Sequence, residues 1–555
     1  MHAVAALVLW LVPAVDPQPA ATNKPAKPDA SAHPAAAKPS AATPEATQPA
    51  DAPRAVKPVF RLSRETTYVT GPLDAEGYVD YAAALNEHYG RGVTPDTNAA
   101  VLFMQAAGPK LDGTLVAEEC FRLLGIEPPA EHGDYFVDFH PYLSRGKNDG
   151  ADPDPDGRLF EQYNEATRRP WKTTDQPELA AWLQANAEPI KLLLEAAERP
   201  KWYLPMWLDR KDDEPTTMFS APLPDVATSL QVARCLAIRA MQDVGEGRHS
   251  DAWKTIVKLH RLGRLFGHGP TLVQGLTGVA IESMAAACAV SYLAAAKLSS
   301  VECAEHLAQL QNLPPRSSAI EKIDLSERFM YLDTVQYIRR GGAEQLRSLG
   351  GATGQHVDAI MKLALEKINF EPALELGNEW YSRIVAALRM PAGEAKQDEF
   401  EQIDRGLRLL HRKEPADWAL RGFATLMAPD WAAGQAIGER LVALLTPSLY
   451  TASNVWLRAE QNSDNLNVAF ALAAYRADVG RYPATLAELA PKYLPQIPRD
   501  RFSENPLVYK KSADGYLLYS VGMNGLDEEG RSRADDNSSD ADDLAIHMPP
   551  KLKTP

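Results

Sequence analysis

Between Gly522 and Asp543 the chain sets Asp527, Glu528, Glu529, Asp535, Asp536, Asp540, Asp542 and Asp543 against only Arg531 and Arg533. Carboxylates held close together repel one another and resist ionising side by side. A hard divalent cation relieves that repulsion, and calcium suits flexible loops because it takes roughly six to eight oxygen ligands in adaptable geometry. Strands expected on either side pin the ends of this loop, so the acids cannot simply disperse. The chemistry points to a calcium-binding loop; the competing reading is a solvated acidic loop with no ion.

The elements that position these acids are legible nearby. Asp464–Asp478 carries Leu466, Phe470, Ala473 and Ala477 on one helical stripe. Gly480 suits the left-handed residue that ends a helix, and Pro483 keeps Tyr482 extended. Thr485-Leu-Ala-Glu488 is a capping box that starts a short helix stopped by Pro491. Leu507–Tyr509 and Tyr516–Val521 read as strands joined by a turn containing Asp514-Gly515, a hairpin signal. Leu544–Met548 reads as a last short strand.

The order of these residues resembles a known family. A helix, Gly480-Arg-Tyr-Pro483, Leu486 and Leu489, Pro498-Arg-Asp500, Asn505-Pro506, Tyr509, Tyr519-Ser-Val-Gly522 and Asp542-Asp543 are similar to the C-terminal domain of the major pseudopilin of type II secretion. The resemblance covers about Ser463 to Met548. It implies a small α+β module whose loop binds calcium, and it assigns the ligands to Asn524, Asp542 and Asp543, with Asp527 or Asp540 in addition. Two features depart from the family: Asn524-Gly525 stands where it has Asp-Gly, and Arg501-Phe-Ser-Glu504 replaces a compact Trp-Gly turn. A long helical region also precedes the module, so the sequence reads as a borrowed fold rather than a pilus subunit.

Other constellations point less far. Asp152-Pro-Asp154-Pro-Asp156-Gly157 alternates acids as an EF-hand loop does, but Tyr163 stands at the twelfth position in place of Glu; an acidic turn is the simpler reading. His132, Asp134, Asp138 and His140 offer nitrogen and oxygen ligands for a transition metal, though a hydrogen-bonded core edge explains them as well. His260 and His268 flank a basic helix end. Trp202, Tyr203 and Trp207 could line a groove, with packing under a loop the expected role. No P-loop, nucleophile elbow or zinc-protease motif occurs.

Composition frames the rest. The chain has 555 residues, a formal net charge of -15 and four cysteines. An acidic balance argues against nucleic acid as partner, since phosphates require a basic face. Cys120, Cys235, Cys288 and Cys303 form no C-x-x-C pair and sit in apolar helical patterns, which reads as buried thiols. Residues 1–14 carry a short apolar run of the export-signal kind, and 15–58 is an Ala/Pro-rich segment too poor in aliphatic bulk to pack. Residues 59–450 are expected to be helical, with an irregular insertion at 128–170. Expected helices there include Leu179–Glu198, Val226–Val244, Ala252–Phe266 and Val273–Ala296.

The predicted fold is mainly α, a helical bundle or irregular α-solenoid followed by the small α+β module at 455–548 and a tail at 549–555. The function expected is an exported, non-enzymatic scaffold or binding protein of the cell envelope. Its partner would be a protein or envelope component, with no transmembrane helix beyond the signal sequence. The alternatives are an extracytoplasmic hydrolase with its site in the helical region, and a peripheral component of a secretion machine of type II kind.

Overall fold

The computed structural model describes residues 56–145, 154–208, 216–340, 368–391, 394–411, 430–446, 449–532 and 540–551. The signal segment, nearly all of the 15–58 segment, Asp152, Asp535 and Asp536 lie outside the described residues.

The fold is mainly α, as the periodicity predicts, with a small antiparallel sheet near the C-terminus. Short helices come first: α1 (Tyr81–Tyr89), α2 (Ala99–Ala107), α3 (Glu118–Leu124), α4 (Phe139–Ser144), α5 (Arg158–Ala166), α6 (Pro177–Ala185) and α7 (Ala187–Ala196). Long helices follow: α8 (Pro224–Gly245), α9 (His249–Gly267), α10 (Leu272–Ala295) and α11 (Ser300–Gln311). After α12 (Ala319–Lys322), a π-helical stretch at Ile323–Glu327 leads into α13 (Arg328–Arg339). Then come α14 (Glu371–Arg389), α15 (Glu394–His411), α16 (Asp430–Leu445) and α17 (Leu449–Val479).

Two expectations change in detail. The single helix expected over Leu179–Glu198 is broken into α6 and α7 at Asn186. That side chain accepts from Val137 N at 2.9 Å and donates to the Val137 and Trp182 carbonyls. A buried amide bonded this way competes with the helix's own backbone ladder. The insertion at 128–170 is also less irregular than expected, since it contains α4 and α5.

Most local signals behave as read. The Ser299–Glu302 capping box forms with both bonds; at Thr485 the Glu488 carboxylate accepts from Thr485 N at 3.1 Å, while the Thr485 hydroxyl makes no cap bond. All four cysteines are free and buried. Trp202 packs edge-on against Phe103 and Phe266, so it belongs to the core rather than to a groove.

The apolar side chains gather into two cores. One joins residues of α2–α11 to the C-terminal sheet; the other joins α1 to α12–α16. Two helices straddle them. In α10, Leu272, Leu276 and Val279 enter the second core, whereas Ile281, Ala285 and Tyr292 enter the first. In α17, Trp456 and Ala459 face the second core, and Leu466 through Leu472 the first. By length and composition α10 could cross a membrane, but it packs between α8, α9 and α17. The α9–α10 approach requires glycine: a Cβ on Gly278 would lie 2.5 Å from the Gly263 carbonyl oxygen.

The expected boundary between 450 and 455 therefore falls inside one continuous helix. The module's helix is not Asp464–Asp478 alone but the C-terminal half of α17, which lies against α10 and α11. From its end the chain runs into a three-stranded sheet, β1 (Val508–Lys511), β2 (Tyr516–Ser520) and β3 (Leu544–Met548), in the order β1-β2-β3. Both pairs are antiparallel, with Val508 opposite Tyr519 and Ser520 opposite Leu544. Residues 521–543 connect β2 to β3, and this connection carries the acids.

Candidate cation site

The loop leaves β2 through an anchored turn. Asp500, only 2% exposed, accepts from Val521 N at 2.9 Å with one oxygen and from Phe502 N at 2.8 Å with the other. The Pro498-Arg-Asp500 turn thus holds the point where the acidic segment begins. Gly522 follows at φ +68°, and a Cβ there would come within 2.4 Å of Asp542 Oδ1. Only glycine satisfies both the left-handed backbone and the close carboxylate.

The two limbs of the loop pair before they reach β3. Ser532 bridges Asp542 in antiparallel fashion, and Asp543 N donates to the Arg531 carbonyl at 3.1 Å. Asp542 Oδ2 accepts from Met523 N at 3.0 Å and from Arg458 of α17 at 3.4 Å. Asp543 is 1% exposed, and its Oδ2 accepts from Gly530 N at 2.7 Å. Neighbouring backbone holds the Asp542–Asp543 pair in place.

Each of three carboxylates, when ionised, keeps an oxygen without a donor. Asp542 Oδ1, Asp543 Oδ1 and Glu528 Oε2 are buried without a hydrogen-bond partner. The Glu528 and Asp543 carboxyl groups lie within hydrogen-bonding reach of each other. Both are acceptors when ionised, so a proton or a cation must sit between them. Burial pushes the Asp543 carboxyl up to about 7, and the neighbouring Glu528 and Asp527 charges add to that rise.

Of the expected ligands, the structure turns Asp542 and Asp543 inward. Asn524 is spent locally, its Oδ1 accepting from Leu526 N at 2.8 Å and its Nδ2 donating to Glu528 Oε1 at 2.5 Å. It orients Glu528 instead of offering a free oxygen. Asp527 accepts from the Tyr519 hydroxyl at 2.8 Å and from Glu529 N at 2.9 Å, bonds that hold its carboxyl below the usual range. Asp540 is exposed at the loop's far end.

The residue that ligand reasoning passed over is Glu528. A signal for it exists in the sequence, because Gly530 follows it two positions on. Glu529 and Gly530 adopt φ of 61° and 77°, a left-handed pair that turns Glu528 toward Asp543 while Glu529 stays exposed. The donor set, all hard oxygens, fits calcium. Among the described residues no group of three or more His, Cys, Asp or Glu side chains is placed to hold a metal ion, so Glu528, Asp542 and Asp543 do not converge as a ready-made site.

The remaining constellations resolve simply. Asp154 accepts from Leu159 N and Phe160 N at 2.9 and 2.7 Å, capping the first turn of α5. Asp138 receives the Tyr163 hydroxyl at 3.4 Å. Buried carboxylates in the helical region are individually satisfied: Glu282 by Arg264 and Arg316, Asp243 by Arg239 and Arg248, Asp225 by Gln274 at 2.7 Å.

Compared with known proteins, the chain matches no family model, no curated protein and no solved structure.

Proposed function

We propose that the chain is an exported, non-enzymatic scaffold or binding protein of the cell envelope, with a C-terminal interaction module stiffened by calcium. The observation that carries the calcium reading is the trio of buried, donorless oxygens on Glu528, Asp542 and Asp543. An uncompensated buried charge is costly, and a bound cation replaces the missing donors. Asp542 and Asp543 would hold the ion with Glu528, and Asn524 would keep Glu528 aimed. The sheet that carries the loop shares a core with the helices, so stiffening the loop also stiffens one end of the larger fold. Export rests on the apolar run in residues 1–14, and the pseudopilin resemblance supports the α+β reading of the module.

The test uses the full chain. Thermal unfolding is followed with a chelator and then with calcium, for the natural protein and for Asp543→Asn. Calcium at a hundred times its Kd should contribute about 2.7 kcal/mol and raise Tm by several degrees. Asp543→Asn should lose that response. Identical melting with and without millimolar calcium would reject the reading.

A further inference from the structure

A second polar cluster lies where α9, the end of α11 and α17 meet. His260 is 4% exposed, and neither of its ring nitrogens has a hydrogen-bond partner. It lines a cavity of about 220 Å³ with Arg264, Ser463 and Asn467 on the polar side and Leu313 and Leu466 on the apolar side. That volume falls below the roughly 300–1,000 Å³ of sites for drug-sized ligands, which selects a small one.

Charge selects its sign. Arg264 and Arg316 both bind the single carboxylate of Glu282, leaving one positive charge in excess at a largely buried place. Burial, with the charges of Arg264 and Arg316, pulls the His260 imidazole down to about 3, so it stays neutral and has one N–H to donate. Arg264 spends Nε on Glu282 and Nη1 on the Leu313 and Pro314 carbonyls. Its Nη2 makes no hydrogen bond to the protein among the described residues. The Ser463 hydroxyl and Asn467 amide add further donors, and no carboxylate lines the cavity. An adjoining groove that shares Leu313 carries Lys254, Lys258, Arg261 and Glu198; Glu198 pairs with Lys258 at 3.0 Å and Asp251 with Lys254 at 3.1 Å, which leaves Arg261 as the cation of the groove without a carboxylate partner among the described residues.

We infer that this cavity binds a small monocarboxylate, with the carboxylate on Arg264, Ser463 and Asn467 and a short alkyl chain against Leu313 and Leu466. The ligand cancels the excess charge, while the His260 ring nitrogens stay buried behind the cavity wall. The inference is independent of the calcium loop.

Sodium butyrate is the probe, added to the full chain and compared with sodium chloride at equal ionic strength. At ten times its Kd, butyrate should raise Tm by about 2 °C and give a saturable binding heat, while chloride does neither. Asn467→Leu and His260→Phe fill the cavity and should abolish the butyrate response while leaving the calcium response unchanged. Asn467 is half-buried and makes no essential bond, so that variant keeps the test decisive even where His260→Phe fails to fold. No butyrate effect at tens of millimolar, an equal effect of chloride, or an undiminished effect in Asn467→Leu would each overturn the inference.

Discussion

The Arg316 guanidinium donates to the Ser463 hydroxyl at 2.6 Å while its Nε and Nη2 grip the two oxygens of Glu282 at 2.8 Å. One side chain, on the connector after α11, thereby ties α10 to α17. On the same helix, upstream of Ser463, Arg458 reaches the acidic loop at Asp542, and downstream of it Asn465 donates to the Leu544 carbonyl at 2.8 Å. The C-terminal module is built onto the helical body through these contacts rather than hung from it.

That tie predicts a large cost for Glu282→Ala. Removing the carboxylate leaves two buried guanidinium groups facing each other, and breaking buried pairs of this kind costs about 3–5 kcal/mol. Urea unfolding should show the loss. A change under about 1 kcal/mol would mean that solvent already screens the cluster.

The shared core predicts joint unfolding. Because Trp253 of α9 packs against Phe470 of α17 at 5.2 Å, tryptophan fluorescence and circular dichroism of the sheet-bearing end should report one transition for residues 99–310 and 463–548. A separate, earlier transition for the sheet would show that the contact between α17 and α10 is weaker than its burial suggests.

The elevated Asp543 carboxyl predicts pH dependence with a definite sign. Folded, the group keeps its proton to about 7; its ordinary value is 3.8. Raising pH through that window removes a proton that only the folded state holds, so the calcium-free protein should lose stability between about pH 4 and 7. Calcium must displace the same proton, so its affinity should tighten about fivefold from pH 6 to pH 7 and about twofold more by pH 8. Titrations at pH 6, 7 and 8 check both trends. A flat profile would place the proton elsewhere.

Asp543→Asn should separate stability from binding. The amide removes a buried charge and can donate to Glu528, so the calcium-free variant at pH 8 should melt no lower than the natural protein. Its calcium response should vanish. Lower stability together with intact calcium binding would reverse the assignment.

Glu488→Ala should lower Tm by a few degrees at most, because the Glu488 carboxylate caps this turn by accepting from Ala484 N at 2.6 Å and Thr485 N at 3.1 Å. The loss should be equal with and without calcium, because the cap lies at the opposite end of the sheet's connections from the acidic loop.

Short-range features of this protein are written in the sequence. The capping box at Ser299, the Glu488 cap at Thr485, the stop at Gly480, the Asp514-Gly515 hairpin and the strand Leu544–Met548 each depend on a few adjacent residues, and local backbone preference decides them. The pair Asp542–Asp543 came from the family resemblance rather than from local preference, and the structure turns it inward. Which other acid joins the pair was only faintly signalled, by Gly530, and tertiary structure alone decided where the molecule divides. Glu528 rather than Asn524 meets Asp543 because two left-handed residues turn the backbone between Glu528 and Arg531. Leu276 and Ala285 on one helix, and Trp456 and Leu466 on another, serve different cores because partners far away in sequence lie against each end. Helical periodicity tells which face of α10 or α17 is apolar; it carries no record of what each turn of that face will touch.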